Sequence, residues 1–180
     1  MADNNLTGKV AIVTGSSRGI GRGIAERLAR DGASVVVNYV GSQETAREAV
    51  GAIEQGGGTA TAVQADVSDP GDVERLFSQT LDQFGRVDIV VANAGVECFA
   101  EVLAKELGKR QITVNIVSPG TTETDFFANA PEGEREKALE RTTLGRIGKP
   151  EDIADVVAFV VSDDARWVTG HNIQAGGGYA

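Results

Sequence analysis

The feature that most constrains how this chain can fold is a glycine-rich turn that joins an apolar run to an amphipathic stretch. Residues 10–14 are apolar or β-branched without interruption, which indicates a strand buried on both faces. Ile20, Ile24 and Leu28 recur every four residues, which is typical of one face of a helix. The turn between them consists of Thr14, Gly15, Ser16, Ser17, Arg18, Gly19, Ile20 and Gly21. A strand, such a turn and a helix in immediate succession predict an anion-binding site at the start of the helix.

The glycines of this turn stand where a bound pyrophosphate would need small residues. Gly15 permits a tight turn, Gly19 lets the pyrophosphate approach the backbone, and Gly21 lets the helix pack closely on the strand. The unpaired N–H groups and the dipole of the helix stabilise an anion at this point. An ordinary glycine-rich turn without a ligand is the alternative. The strand before the turn and the helix after it favour a dinucleotide site.

The choice of dinucleotide is predicted from the end of the second apolar run. A site for NAD places a carboxylate there, which accepts hydrogen bonds from the ribose hydroxyls. This chain has Asn38 and Tyr39 instead, and the next acid, Glu44, comes only in the following helix. Arg18 can supply a charge-assisted contact to a 2′-phosphate, although a solvated loop arginine is the alternative for this residue. NADP(H) is therefore favoured over NAD(H).

Short apolar runs alternate with helical patterns along the whole chain. Strands are predicted over residues 34–40, 59–64, 87–92, 112–117 and 172–175, and helices over 42–54, from 70 onward, across 99–107 and from 150 onward. Trp167 is expected to pack the last helix onto the sheet. Repeated β–α alternation predicts an α/β fold of the Rossmann type, with a doubly wound parallel sheet between two helical layers. We expect one domain over residues 1–180.

Composition argues against several classes of function. The 180 residues carry 17 Lys and Arg against 26 Asp and Glu, and the net charge of −9 argues against a nucleic-acid or anionic-membrane partner. The single cysteine, Cys98, rules out an internal disulfide, and the single histidine, His171, leaves no ligand set for a transition metal. No apolar run is long enough to span a bilayer, and the polar start lacks the apolar core of a signal peptide. The expected location is cytoplasmic.

The glycine-rich turn, together with Asn93, Ala94 and Gly95 after the fourth predicted strand, resembles the short-chain dehydrogenase/reductase family. Residues 144–152 and 170–173 resemble the C-terminal stretch of its bacterial-type 3-oxoacyl-carrier-protein reductases and its polyol or aldehyde reductases. The resemblance covers nearly the whole chain, and it implies NADP(H)-dependent reduction of a ketone or aldehyde. It also implies further cofactor contacts. These are Asp66 and Val67 at the adenine, and Pro119, Gly120, Thr122 and Thr124 at the nicotinamide end.

The catalytic residues that the resemblance implies are absent. The family has an asparagine, a serine, and a tyrosine followed four residues later by a lysine, between the Asn-Ala-Gly turn and the Pro-Gly strand. Only 26 positions separate Asn93 from Pro119, which is too few for that segment. Tyr39 is followed four positions later by Gln43, and Tyr179 is next to last, so the chain has no Tyr-x-x-x-Lys. We predict an internal deletion of one helix, one strand and the first turns of the next helix, which leaves no catalytic residue. The alternative is that the sequence as written omits a stretch that the protein contains.

The predicted deletion affects the sheet, the surface and the function. We expect six strands in the order 3-2-1-4-5-6, and apolar surface left by the missing helix favours a homo-oligomer. Without its general acid the parent reaction is expected to be impaired, so whether the chain is an enzyme stays open. One alternative is a non-catalytic dinucleotide-binding or oligomerisation module. Another is that a different group, such as Glu97 or Lys105, replaces the acid.

Overall fold

The structure is a computed structural model that describes residues 6–92, 104–105, 107–124, 127, 131 and 133–178. The predicted contacts Asn93, Ala94 and Gly95 lie outside the described residues, as do Cys98 and most of the helix predicted over 99–107. The chain divides into two compact units, Met1–Asn93 and Ala94–Ala180. The single domain expected over residues 1–180 stays a prediction.

Among the described residues, the first unit is a four-stranded parallel sheet with three helices. Its strands are β1 (Val10–Val13), β2 (Ser34–Tyr39), β3 (Thr59–Gln64) and β4 (Ile89–Val91), and its helices are α1 (Gly19–Arg30), α2 (Gln43–Gln55) and α3 (Pro70–Phe84). The strand order is β3-β2-β1-β4, and all neighbouring strands are parallel. Ile12 of β1 lies opposite Val36 of β2 and Val90 of β4. The predicted α/β fold of the Rossmann type is confirmed.

The helix boundaries of this unit follow from local capping. The Ser42 side chain accepts a hydrogen bond from the Thr45 N–H and so begins α2. The Asp69 carboxylate accepts a hydrogen bond from the Asp72 N–H at 2.9 Å. The proline that follows occupies the first position of α3, where the lack of an N–H group costs no hydrogen bond within the helix. Gly85 ends α3 in the left-handed region at φ +76°, where glycine carries no steric penalty.

One part of the core of the first unit lies between the sheet and α3. Its buried cluster consists of Ile12, Val36, Val63, Ala65 and Leu76, against which Phe77, Phe84 and Val87 pack. Each large aliphatic side chain buried in this way stabilises the fold by roughly 1.5–3 kcal/mol. Ile24 and Leu28 of α1 are also buried, as the predicted helical stripe requires. This packing holds the carboxyl ends of β1, β2 and β3 in fixed register.

The described part of the second unit includes a two-stranded parallel sheet and two α-helices. Its elements are a 3₁₀ turn over Gly108–Arg110, β5 (Ile116–Pro119), α4 (Glu134–Arg141), α5 (Pro150–Val160), a 3₁₀ turn over Asp163–Ala165, and β6 (Asn172–Ala175). β5 and β6 are in register from Ile116 opposite Asn172 to Pro119 opposite Ala175. The last predicted strand therefore has its predicted bounds.

The strand predicted over residues 112–117 begins later than expected. The Val114 N–H donates to the Thr169 hydroxyl at 3.1 Å, and the Asn115 side chain donates to the Val168 carbonyl at 2.8 Å. Together with the backbone bond from the Gly170 N–H to the Val114 carbonyl at 2.7 Å, these bonds hold residues 114–115 against residues 168–170 before the regular ladder begins. The ladder starts only at Ile116 and extends to Pro119, two residues beyond the predicted end.

The structure corrects the expected single six-stranded sheet. Among the residues that the structure describes, the orders 3-2-1-4 and 5-6 are both present, but in separate sheets of four and two strands. Val90, in the middle of β4, is 51% exposed.

The expected packing of Trp167 is wrong. Its side chain is 95% exposed. The short 3₁₀ turn that precedes it places Ala165 in the interior instead, at 1% exposure, and Trp167 follows on the outside.

Candidate functional site

The turn between β1 and α1 has the backbone that its glycines predict. Gly15 and Gly19 both lie at φ +58°, in the left-handed region that side chains with a Cβ avoid. Gly15 is exposed, whereas Gly21 is buried in α1, where a small residue permits close packing. The turn therefore presents bare backbone to its outer side, and its two left-handed glycines fix that shape.

Ser16 anchors the turn from the inside. It is fully buried, and its hydroxyl donates to the Val13 carbonyl at 2.6 Å. Its N–H donates to the Asn38 carbonyl at 2.9 Å. The Thr14 N–H donates to the Val91 carbonyl at 3.0 Å, which ties the start of the turn to β4. Because the polar groups of Ser16 already have partners inside the protein, its role is to hold the turn.

Asn38, at the end of β2, is also buried, with 1% exposure. Its Oδ1 accepts a hydrogen bond from the Gly15 N–H at 3.2 Å. Its Nδ2 donates to the carbonyls of Val63 at 3.3 Å and Ala65 at 3.0 Å, where β3 ends. The neighbouring Tyr39 is 6% exposed. The amide of Asn38 thus links the glycine-rich turn to the end of β3.

The start of α1 is electropositive. Arg18 is its N-cap residue, no side chain makes a capping hydrogen bond, and the first turn of the helix contains no acid. The first N–H groups of a helix lack partners within the helix, and its dipole adds positive potential at this end. The Arg18 side chain is exposed next to these groups. Ser17 and Ile20 are half-buried. This arrangement can hold an anionic oxygen.

The loop after β3 places Asp66 and Val67 at the surface. Both the hydroxyl and the N–H of Ser68 donate to Asp66 Oδ1, and these bonds hold the pKa of Asp66 below its ordinary value. The Asp66 N–H donates to Asp72 Oδ2 at 2.8 Å. This bond, together with the hydrogen bond that the Arg75 side chain donates to Asp72 Oδ1, lowers the pKa of Asp72. Val67 is 49% exposed, so it offers an apolar side chain to a ligand.

In the second unit, Pro119, Gly120 and Thr122 form a closely packed loop. The Gly120 N–H donates to the Ala175 carbonyl at 3.3 Å, and the Thr122 hydroxyl donates to the Gly120 carbonyl at 2.9 Å. Thr122 is 7% exposed and forms an isolated bridge with Gly148. The structure brings these three predicted residues together, but the Thr122 hydroxyl already has a partner.

Metal-binding groups and membrane-spanning helices were both expected to be absent from this chain. In the part of the chain that the structure describes, no group of three or more His, Cys, Asp or Glu residues is placed to hold a metal ion. In the same residues, no helix combines the length and apolar character needed to cross a membrane.

Comparisons with known proteins agree with this geometry. Residues 9–102 match the model of the short chain dehydrogenase family, and residues 92–180 match that of the enoyl-(acyl carrier protein) reductases. The chain belongs to the short-chain dehydrogenase/reductase family. The first match ends and the second begins within the same few residues, 92–102.

Three family members illustrate the likeness. An uncharacterized oxidoreductase from Methylorubrum extorquens is 39% identical over 245 aligned positions, which take in 97% of this chain and 99% of the relative. A versicolorin reductase from Emericella nidulans is 33% identical, with 98% of each chain covered. The crystal structure of the angucycline C-6 ketoreductase LanV with bound NADP has a TM-score of 0.90 at 34% identity, with 97% of this chain and 96% of that one covered.

Neither tyrosine of this chain is followed four residues later by a lysine. Tyr39 is buried in β2, and Gln43, four residues later, is the first residue of α2. Tyr179 lies outside the described residues. The sequence contains no other tyrosine. As a short-chain dehydrogenase/reductase, the chain therefore keeps the family's glycine-rich turn without its Tyr-x-x-x-Lys.

Sequence reasoning identified the turn but missed how it is held. The predicted residues Gly15, Ser16, Ser17, Arg18, Gly19, Ile20 and Gly21 do lie together. The bond from the Ser16 N–H to the Asn38 carbonyl and the bond from the Thr14 N–H to the Val91 carbonyl were not predicted, because they join residues far apart in the chain. The sequence places a polar residue, Asn38, near the end of a buried strand, but it does not show which way that side chain points.

Proposed function

We propose that this chain binds NADP(H) on the glycine-rich turn of its first unit. The observation that carries the proposal is the exposed backbone of the turn, with two left-handed glycines and a helix start without acids. Bare N–H groups at a helix start bind phosphate oxygens, and the residues present fit a pyrophosphate. The contacts at Pro119, Gly120 and Thr122, and at Asn93, Ala94 and Gly95, stay predictions.

The preference for NADP(H) over NAD(H) rests on charge. The end of β2 carries no carboxylate that would repel a 2′-phosphate. Arg18 is exposed beside the turn and can pair with that phosphate. LanV, a solved structure that resembles this chain, contains NADP. Asp66 and Val67 are both exposed and are proposed to contact the adenine.

We further propose that the chain reduces carbonyl compounds poorly or not at all. A bound nicotinamide supplies the hydride. The protein must still protonate the developing alkoxide, and a positioned acid contributes about 10²–10⁴-fold to the rate. This chain has neither the tyrosine nor the lysine at the family's spacing. Glu97 and Lys105 are the remaining alternatives for the acid, and an alanine substitution at each would test them.

An internal deletion explains this loss. The alignment with the Methylorubrum relative has 245 positions but takes in 97% of 180 residues, which is about 175, so about 70 positions hold residues of the relative alone. The two family models change over at residues 92–102, between β4 and β5. We infer that the missing segment contained the catalytic serine, tyrosine and lysine. An intact mass well above 18.7 kDa would contradict the deletion.

The alternative is a module that binds the dinucleotide or assembles into oligomers without chemistry. The apolar surface that the missing helix would have covered favours association with a second copy. Light scattering over a range of concentrations tests this proposal. A monomer at all concentrations would contradict it.

Binding and catalysis are tested separately. Fluorescence titration with NADPH and with NADH should give saturable binding, with the tighter constant for NADPH. A reductase assay with common ketones should give turnover near the background rate. Absence of binding would contradict the proposed function. Turnover comparable to that of ordinary reductases would contradict the proposed impairment while leaving the proposed binding intact.

A further inference from the structure

We propose that Asn38 is a positioning residue that sets the shape of the glycine-rich turn, and that it does not contact the cofactor. The inference rests on the proposed dinucleotide binding, and it revises the role that the sequence predicts for this residue. It also determines where a carboxylate could be introduced to change the choice of cofactor.

The side chain of Asn38 has no polar atom to offer a ligand. It is 1% exposed, its Oδ1 accepts from the Gly15 N–H, and its Nδ2 uses both protons on the carbonyls of Val63 and Ala65. Its own carbonyl accepts from the Ser16 N–H. Two consecutive N–H groups of the turn therefore donate to one residue. These two bonds therefore orient the neighbouring N–H groups of the turn that face outward.

An amide is the only side chain of this size that can make this set of contacts. Asparagine both accepts and donates, whereas aspartate only accepts when ionised. Aspartate at position 38 would keep the bond from Gly15 but would face the carbonyls of Val63 and Ala65 with a buried negative charge. A leucine at position 38 would leave the Gly15 N–H and the carbonyls of Val63 and Ala65 without this hydrogen-bond partner.

A consequence for specificity follows from this geometry. A sequence reading treats position 38 as a site where a carboxylate would select NAD(H). In the structure, a carboxylate there points into the interior and disturbs the turn that both cofactors need. The first exposed residue after β2 is Val40, at 55%. It therefore provides a control position for the same added charge on the outer surface.

The variants Asn38→Asp, Asn38→Ala and Val40→Asp distinguish a positioning role from a direct contact. Loss of the Asn38 bonds reduces the fraction of protein with an ordered turn, and the apparent dissociation constant rises in proportion. For both Asn38 variants we expect the constants for NADPH and NADH to rise together by about tenfold or more, with their ratio nearly unchanged. If Asn38→Asp shifts the preference toward NADH with binding otherwise intact, the proposal is wrong.

Hydrogen exchange in the ligand-free protein gives a readout that does not depend on binding. In the wild type, the Asn38 side-chain amide protons and the Gly15 and Ser16 N–H groups should exchange slowly by NMR. The Asn38→Ala variant should lose this protection at Gly15, and Val40→Asp should keep it. Fast exchange of the Asn38 amide in the wild type would overturn the inference even if the variants do not fold. If the wild type shows protection but binds neither nucleotide, the proposed function is wrong, and so is the role of Asn38 in cofactor binding. The hydrogen bonds that join Asn38 to the glycine-rich turn would still be supported.

Discussion

Arg146 holds Asp152 by two parallel hydrogen bonds, from Nη1 to Oδ2 at 2.6 Å and from Nη2 to Oδ1 at 2.7 Å. Asp152 Oδ2 also accepts from the Lys149 N–H at 2.7 Å, which begins α5. The Arg146 bonds, followed by the Lys149 bond, lower the pKa of Asp152 to about 2. One carboxylate therefore connects the loop before α5 to the first turn of that helix.

This ion pair predicts a loss of stability in acid. Because the pKa of Asp152 is below its ordinary 3.8 in the folded protein, its contribution is complete above about pH 4 and decreases as the pH falls toward 2. Both side chains are more than a third exposed, so we expect Asp152→Asn to cost only about 1 kcal/mol. Thermal melts from pH 2 to pH 7 should show the wild type and the variant converging at low pH. Glu151→Gln, in the same helical turn, is the control and should change the curve less. A constant difference at all pH values would contradict the prediction.

The charge of Arg18 is expected to select NADPH. Arg18→Gln should raise the dissociation constant for NADPH about tenfold, because a charge-assisted contact to the 2′-phosphate is lost. The constant for NADH should hardly change, since NADH has no such phosphate. Arg22→Gln is the matched control: Arg22 lies on the same helix but pairs with Glu26 at 2.7 Å. Equal effects on the two nucleotides would assign Arg18 to the pyrophosphate or to solvent.

Gly120 is expected to tolerate no side chain. A Cβ at this position would lie 2.6 Å from the Gly176 Cα and 2.9 Å from its carbonyl oxygen. Because backbone atoms cannot rotate away, Gly120→Ala should destabilise the second unit by about 1–3 kcal/mol. Gly51→Ala is the opposite case, since a Cβ there meets nothing within 4 Å in the interior of α2. It should stabilise the protein by about 0.5–1 kcal/mol. Denaturant unfolding measures both, and a stable Gly120→Ala protein would contradict the close approach.

Secondary structure was predicted well where local patterns determine it. β3 has its predicted bounds, and the helix predicted over 42–54 is α2, Gln43–Gln55. The start of β5 was predicted too early because the bonds of Val114 and Asn115 to residues 168–169 depend on tertiary packing. The division into two sheets was also not predicted, because periodicity does not report which strand edges pair.

The candidate site was predicted by residue type more reliably than by orientation. The turn and its helix follow from glycine positions and apolar spacing, so Gly15 and Gly19 were correctly placed. Asn38 illustrates the limit. Its three side-chain partners are 23 to 27 positions away in the chain. No local pattern can indicate that this amide points inward, so the sequence predicts a polar group at the cofactor.

Two adjacent serines of the turn are expected to separate stability from binding. The Ser16 hydroxyl is buried on the Val13 carbonyl, and its loss leaves a buried acceptor without that partner, so Ser16→Ala should cost about 1–2 kcal/mol in unfolding free energy. Ser17 is half-buried, and we propose that it faces the phosphate. Ser17→Ala should therefore keep the unfolding free energy within about 0.5 kcal/mol of wild type and weaken NADPH binding severalfold. Chemical denaturation and NADPH titration of both variants test this pairing. If Ser17→Ala alters stability more than binding, the two serines have the opposite roles and the outward face of the turn is not the phosphate site.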